Sequence, residues 1–259
     1  MTNALYGIIV LFATIIGAIT GLGGGVIIKP LFDLVARDSA TVIGLYSAMA
    51  VFTMSIVSIT KQKRNGFRFD KKTVGYVSLG SIFGGLVGEG IFDFCTKSLS
   101  NNYVKVIQNA LLLITLVFII VYGINQKKVV SKELRNPFVI FLVGLILGLV
   151  SVFMGIGGGP LNVAMFMILF SFFMKESTVY SIVTIFFAQL SKLMLNFISG
   201  TYSLIDWRST IVIVIVAIVG GYIGTLINQR LSNKIVNNIY NVLMIALSFV
   251  AVLNIYQAL

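Results

Sequence analysis

The chain has 259 residues, of which 58% are hydrophobic and only 10% are charged, whereas soluble globular domains are about half apolar and a quarter charged. Apolar runs of about 18 residues or more recur along the whole length, which excludes a separate soluble domain and indicates an all-α polytopic membrane protein. The formal net charge of +11 would suggest nucleic-acid binding in a soluble protein, but here the basic residues gather in short loops between apolar segments, where they indicate topology.

Ten apolar segments are predicted to form membrane helices, five in each half of the chain. In order, they are residues 4–20, 26–36, 41–60, 73–91, 104–124, 137–154, 160–174, 177–198, 209–227 and 236–257. The N-terminus lacks the basic region and cleavage site of a signal peptide, so we interpret residue 4 onward as mature membrane helix. We predict a first transmembrane repeat at residues 1–124, a basic cytoplasmic linker at 125–136 and a second repeat at 137–259.

A glycine-rich motif follows the first apolar segment of each half. Gly21-Leu22-Gly23-Gly24-Gly25 recurs as Gly155-Ile156-Gly157-Gly158-Gly159. Four glycines in five positions do not sustain a helix interior, so both helices should break there. Irregular backbone at membrane depth is tolerated where it is buried in protein or lines a cavity, and two breaks at corresponding positions point to a transporter's substrate site.

Other landmarks recur in the same order and indicate an internal duplication. The glycine motifs are 134 residues apart, Gly84-Gly85-x-x-Gly88 and Gly220-Gly221-x-x-Gly224 are 136 apart, and Leu99-Ser100-Asn101 precedes Leu231-Ser232-Asn233 by 132. The glycines of the second pair favour close helix packing over ligand binding.

Equivalent loops of the two halves have opposite charge bias. Residues 61–72 contain six basic residues, whereas their counterpart at 196–208 contains only Arg208, offset by Asp206. Because basic loops stay cytoplasmic, we predict inverted repeats, which need an odd number of crossings per half. A hairpin at each glycine motif, re-entrant or fully crossing, supplies that number. The alternative is one discontinuous crossing over residues 4–36, with four crossings per half and parallel repeats.

The helix after each glycine motif should begin with unpaired N–H groups at the positive end of its dipole, an arrangement that suits an oxyanion. Two intramembrane lysines, Lys29 and Lys192, could add charge, although each could instead reach an interface. Hydroxyl and amide groups on the following helices, such as Ser47 and Thr184 at an offset of 137, could bond to oxyanion oxygens or merely to a neighbouring helix. The predicted substrate-binding residues are Gly23, Gly24, Gly25, Lys29, Ser47, Gly157, Gly158, Gly159, Thr184, Gln189 and Lys192.

Residues typical of catalysis are scarce. The chain has no histidine and one cysteine, Cys95, and Glu89 is the only carboxylate that we place inside the membrane. We therefore predict no enzymatic activity, no metal and no cofactor. A chromophore-binding receptor with a Schiff base at Lys192 is the alternative function, but it leaves the glycine motifs unexplained.

The doubled glycine motif, with Pro30 after the first copy and a polar helix including Ser47 or Thr184 after each, resembles the sulfite exporter TauE/SafE family of anion permeases. The resemblance covers nearly the whole chain. It implies a multi-pass protein of the bacterial cytoplasmic membrane that exports small anions such as sulfite or organosulfur compounds. Partners would be that anion and the lipid bilayer, with no nucleic acid. Ala164 stands where Pro30 would correspond, and Lys192 where the family pattern favours a small or neutral residue.

Overall fold

The protein is described by a computed structural model that covers residues 2–35, 38–125 and 134–258. Within these residues it contains ten α-helices, as predicted, and a short 3-10 helix at Thr201–Leu204. The α-helices are α1 (Thr2–Thr20), α2 (Gly25–Val35), α3 (Ala40–Arg64), α4 (Lys71–Ser98), α5 (Asn101–Asn125), α6 (Pro137–Phe153), α7 (Gly159–Phe170), α8 (Met174–Ile198), α9 (Trp207–Arg230) and α10 (Asn233–Ala258).

Six of the helices in the described ranges are long and apolar enough to cross a membrane: α3, α4, α5, α8, α9 and α10. They form two sets of three, one in each half. The predicted all-α membrane fold is confirmed. Most of the predicted linker at 125–136 lies outside the described residues, so the division into two repeats stays a prediction.

The first two helices of each half form a hairpin that turns at the glycine motif. A methyl group on Gly24 would lie 3.0 Å from the carbonyl oxygen of Ala13 on α1, although a continuous helix would separate the two residues by about 16 Å. In the second half, a methyl group on Gly158 would lie 2.7 Å from Cβ of Ser151, which is the counterpart of the close approach of Gly17 to Gly24 in the first half. The rings of Tyr6, near the start of α1, and Phe32, near the end of α2, also stack with centroids 4.4 Å apart, so the chain folds back and the alternative of one discontinuous crossing over residues 4–36 is wrong. With 11 and 12 residues, α2 and α7 reach about half the thickness of a bilayer core.

The first helix of each half packs against the other half. Helix α1 lies along α9, and α6 lies along α4. Glycines make both contacts close: Gly84 on α4 touches the backbone of Leu145 on α6, and Gly220 on α9 touches Thr14 on α1. The predicted packing role of these glycines is confirmed.

The equivalent helices α3 and α8 contact each other and run antiparallel. The hydroxyl of Tyr180, near the start of α8, accepts a hydrogen bond of 2.8 Å from the backbone N–H of Asp70, just after α3. Reciprocally, the hydroxyl of Tyr46, near the start of α3, accepts one of 2.9 Å from Asp206, which follows α8. The start of each helix therefore lies beside the end of the other, and this pair forms the centre of the molecule.

Candidate functional site

The two glycine motifs touch each other in the centre of the protein, beside the middle of α3 and α8. A methyl group on Gly25 would lie 2.5 Å from the carbonyl oxygen of Ile156, and one on Gly159 would overlap the backbone of Leu22. These are equivalent contacts, related by the offset of 134 residues between the motifs. Because every residue in both motifs is buried, the structure forms one enclosed junction, which we call the glycine junction (residues 21–25 and 155–159).

The backbone of the glycine junction has free donors. Gly24 and Gly158 adopt φ angles of 78° and 65°, a left-handed conformation that glycine adopts readily and that turns the chain into the next helix. The carbonyl of Gly24 accepts hydrogen bonds from the N–H groups of Ile27 and Ile28. Among the described residues, however, the N–H groups of Gly24, Gly25, Gly158 and Gly159 donate no hydrogen bond. The positive ends of α2 and α7 therefore meet at one buried point.

Apolar side chains close this junction on one side. A methyl group on Gly157 would lie 3.5 Å from both Val51 of α3 and Ile185 of α8, and one on Gly23 would contact the same two residues. Val51 and Ile185 are themselves 134 residues apart, so each half contributes one equivalent side chain. A cavity of about 660 Å³ between α3, α4 and α8 contains none of the predicted site residues in its lining.

Three buried polar side chains around the junction lack hydrogen-bond partners within the described part of the chain: Ser47, Ser151 and Asn162. Ser47 Oγ lies 3.0 Å from the position of a methyl group on Gly25, and Ser151 Oγ lies 3.1 Å from that on Gly158. Asn162 occupies the first turn of α7. An unsatisfied buried polar group costs about 1–3 kcal/mol, so these side chains suit a ligand that would satisfy them.

Ser47 was predicted from the sequence, whereas Ser151 and Asn162 were not. A usable signal was present for both, because Asn162 is the only amide side chain in α7 and Ser151 precedes the second motif by four residues.

At the offset of 134 that relates the two motif contacts, the counterpart of Ser47 is Ser181 rather than Thr184. Ser181 Oγ donates to the carbonyl of Gly21 at 2.7 Å, so it braces the first motif. Thr184 instead donates within α8, and its carbonyl accepts a hydrogen bond from Ser81 on α4. Thr184 therefore serves helix packing.

Gln189, also on α8, lies closer to the junction. Its Nε2 is 3.9 Å from the position of a methyl group on Gly157. Of the two uncharged site residues predicted on α8, Thr184 and Gln189, the structure therefore places Gln189 at the junction.

Both intramembrane lysines are buried and paired with carboxylates. Lys29 Nζ lies 2.7 Å from Asp33 Oδ2, and Lys192 Nζ lies 3.1 Å from Glu89 Oε2. The alternative in which Lys29 reaches an interface is thus wrong, since its side chain is 2% exposed. Each carboxylate offsets the lysine charge, so neither lysine offers a free positive charge to a ligand in this arrangement.

Asp33 corrects the expectation that Glu89 is the only embedded carboxylate. Its side chain is 2% exposed and also lies 3.7 Å from Lys105 Nζ on α5. The partner was visible in the sequence, because residues four apart on a helix are neighbours. The stem of Lys29 in turn packs against the second glycine motif, with Cδ 3.1 Å from the position of a methyl group on Gly155.

The match to known proteins agrees with this architecture. A family model described as Sulfite exporter TauE/SafE matches residues 6–251. The chain is 25% identical over 268 residues to a Bacillus subtilis (strain 168) protein named "Probable membrane transporter protein YunE", with 95% of each chain covered. No solved structure matches the chain significantly. Together with six helices able to cross a bilayer, these matches support a multi-pass membrane protein with a transporter role. The chain belongs to the sulfite exporter TauE/SafE family.

Proposed function

We propose that this protein transports small anions, such as sulfite or organosulfonates, and binds them at the glycine junction. The observation that carries the proposal is the meeting of two half-helix N-termini at one buried point, next to the unpartnered side chains of Ser47, Ser151 and Asn162. Backbone N–H groups and helix dipoles favour negative charge, and the hydroxyl and amide groups can donate to its oxygens. Gln189 adds a further donor beside Gly157.

An oxyanion fits this junction better than a cation does. The lysine–carboxylate pairs contribute little net charge, so the electrostatic preference comes from the backbone donors of both half-helices. The motif glycines serve this purpose because a side chain at Gly25 or Gly159 would hold the two motifs apart.

We propose alternating access between two inverted repeats as the mechanism. The antiparallel contact of α3 and α8 supports inversion, as do the three long helices in each half and the opposite charge bias of equivalent loops. Val51 and Ile185 would separate as one repeat rocks against the other. If the protein exports its anion, a membrane potential of 100 mV, inside negative, favours export by about 2.3 kcal/mol per charge.

The test is a flux measurement in proteoliposomes with radiolabelled sulfite and sulfoacetate. We expect efflux above that of empty vesicles for at least one of them, and a reduced rate after Asn162→Leu. The proposal is wrong if neither anion moves faster than in protein-free vesicles. The family match does not support the alternative function, a chromophore-binding receptor. A colourless purified protein would exclude that alternative.

A further inference from the structure

The two halves differ in charge where α4 meets α8 and where α9 meets α3. On α8 and α4, Lys192 and Glu89 form a buried ion pair. At the corresponding positions on α3 and α9, 134 and 136 residues away, Ser58 and Thr225 form a neutral hydrogen bond of 2.9 Å. A neutral pair therefore suffices to join these two helices. The charged pair costs more to bury than a neutral pair, so the joining of α4 to α8 does not by itself explain why Glu89 and Lys192 are charged.

A cavity connects the charged pair to the surface. It has a volume of about 200 Å³, lies between the ends of α4 and α8, and is lined by Glu89 and Asn196 as well as the exposed Asp93. The side chain of Glu89 is 9% exposed, whereas that of Lys192 is 2% exposed. An ion entering the cavity therefore meets the carboxylate first. This end of α8 is opposite the basic loop at 61–72, which the charge rule places in the cytoplasm.

Lys192 lies between this cavity and the glycine junction. It is three residues after Gln189 on α8, so the two side chains share a helix face, and Gln189 borders Gly157. On its other side, Lys192 Nζ lies 3.4 Å from the position of a methyl group on Gly44, one turn before Ser47 on α3. An anion leaving the junction towards the cavity would pass this ammonium group.

We propose that Glu89 is a proton-binding site linked to anion binding, an inference that rests on the proposed anion transport. The linkage arises because the Glu89 carboxylate and the transported anion compete for Lys192. A proton from the cavity bonds to Oε2 of Glu89 and neutralises the carboxylate. The Lys192 ammonium, released from its partner, then binds the anion. Departure of the anion restores the ion pair and returns the proton to solution. By linkage, proton binding raises anion affinity, and anion binding takes up a proton.

Of the described groups that face Glu89 from the neighbouring helices, Lys192 is the charged one. From α8, Asn196 also donates a hydrogen bond of 2.5 Å to Oε1. From α3, Thr41 and Gly44 face the pair, and neither titrates. From α6, the contact next to Glu89 is the backbone of Leu149.

Other charges lie further from the pair. On α4 itself, Asp93 is engaged by the exposed Lys97 at 2.6 Å. Lys29 of α2 is held by Asp33, which also attracts Lys105 of α5. A proton entering the cavity therefore finds Glu89 as the carboxylate that controls Lys192.

Calorimetry of sulfoacetate binding to the full-length protein tests this linkage. Sulfoacetate keeps its charge between about pH 6 and 8, so titrations in two buffers of different ionisation heat give the number of protons taken up per anion. We expect uptake approaching one proton for the wild type, none for Glu89→Gln, and an unchanged value for Asp93→Asn, which lines the same cavity. Affinity should weaken by up to about tenfold for each rise of one pH unit.

The outcomes separate the two proposals. If sulfoacetate and sulfite neither bind nor move, the proposed transport function fails. If they bind without proton uptake, or if Glu89→Gln takes up as many protons as the wild type, this inference fails and the transport function stands.

A second measurement covers the case in which Glu89→Gln does not fold. The double variant Glu89→Thr/Lys192→Ser copies the neutral pair of the other half and should fold. On addition of sulfoacetate, the wild type should gain the infrared carbonyl band of a protonated carboxylic acid, and the double variant should not. A wild type without this band, or the same band in both proteins, would overturn the inference.

Discussion

Replacing Gly25 with alanine would place a methyl group where the two glycine motifs touch. Its carbon would lie 2.5 Å from the carbonyl oxygen of Ile156, about 0.9 Å inside the 3.4 Å limit of ordinary contact. The obstacle is backbone, which cannot rotate away as a side chain can, so the motifs must separate. Overpacking of a buried site costs about 1–3 kcal/mol, and we expect the upper part of that range. The same methyl group would lie 3.0 Å from Ser47 Oγ and would cover one of the proposed ligand groups.

Thermal unfolding in detergent measures the loss of stability. Flux of sulfoacetate in proteoliposomes measures the loss of transport. Each kcal/mol lost should lower the midpoint by roughly 2–4 °C, and flux should fall at least about tenfold if the junction binds the anion. Gly75→Ala is the matched control, because a methyl group on this α4 glycine would have no atom within 4 Å and the cavity that it lines contains none of the predicted site residues. Wild-type unfolding and flux for Gly25→Ala would refute the close contact and the site built on it.

Three further predictions follow from the same geometry. Asn162→Leu removes an unpartnered buried amide, so it should raise the unfolding midpoint while it lowers flux; a lower midpoint would contradict this. Lys192→Ala leaves the buried Glu89 unpaired and should destabilise by about 3–5 kcal/mol and reduce flux, whereas Lys97→Ala breaks an exposed pair and should change stability by less than about 1 kcal/mol. Hydrogen bonds from the side chain and backbone of Thr73 lower the pKa of Asp70, so acidification below about pH 4 should destabilise the start of α4, and Asp70→Asn should weaken this dependence in unfolding scans.

The helices were predictable because burial in lipid demands long apolar runs, but their ends were less so. Helix α3 runs to Arg64 rather than residue 60, and α4 continues to Ser98 rather than residue 91, because polar residues extend both helices beyond the apolar core. Helix α7 ends at Phe170 rather than at residue 174, because the next residue, Ser171, adopts a left-handed φ of 58°. The apolar run continues through Phe172 and Phe173, so the end of the helix could not be predicted from hydropathy, which carries no information about backbone conformation.

The candidate site was predictable where a local rule applied. The glycine motifs identify the breaks because glycine disfavours a helix, and the repeat spacing indicates that two breaks belong together. Asp33 also follows a local rule, the four-residue spacing to Lys29, although it was not among the residues predicted to lie in the membrane.

The amino-acid sequence by itself determined the membrane class, the ten helices and the two interruptions, because each depends on the composition or conformational preference of a short segment. It also predicted the duplication. Only the tertiary structure decided which groups meet: Gly25 meets Ile156, Glu89 meets Lys192, and the side chain of Asn162 has no hydrogen-bond partner among the described residues. Those contacts join residues as much as 131 positions apart. Their geometry is set by how whole helices pack, and the hydropathy of a single segment carries no information about its partners.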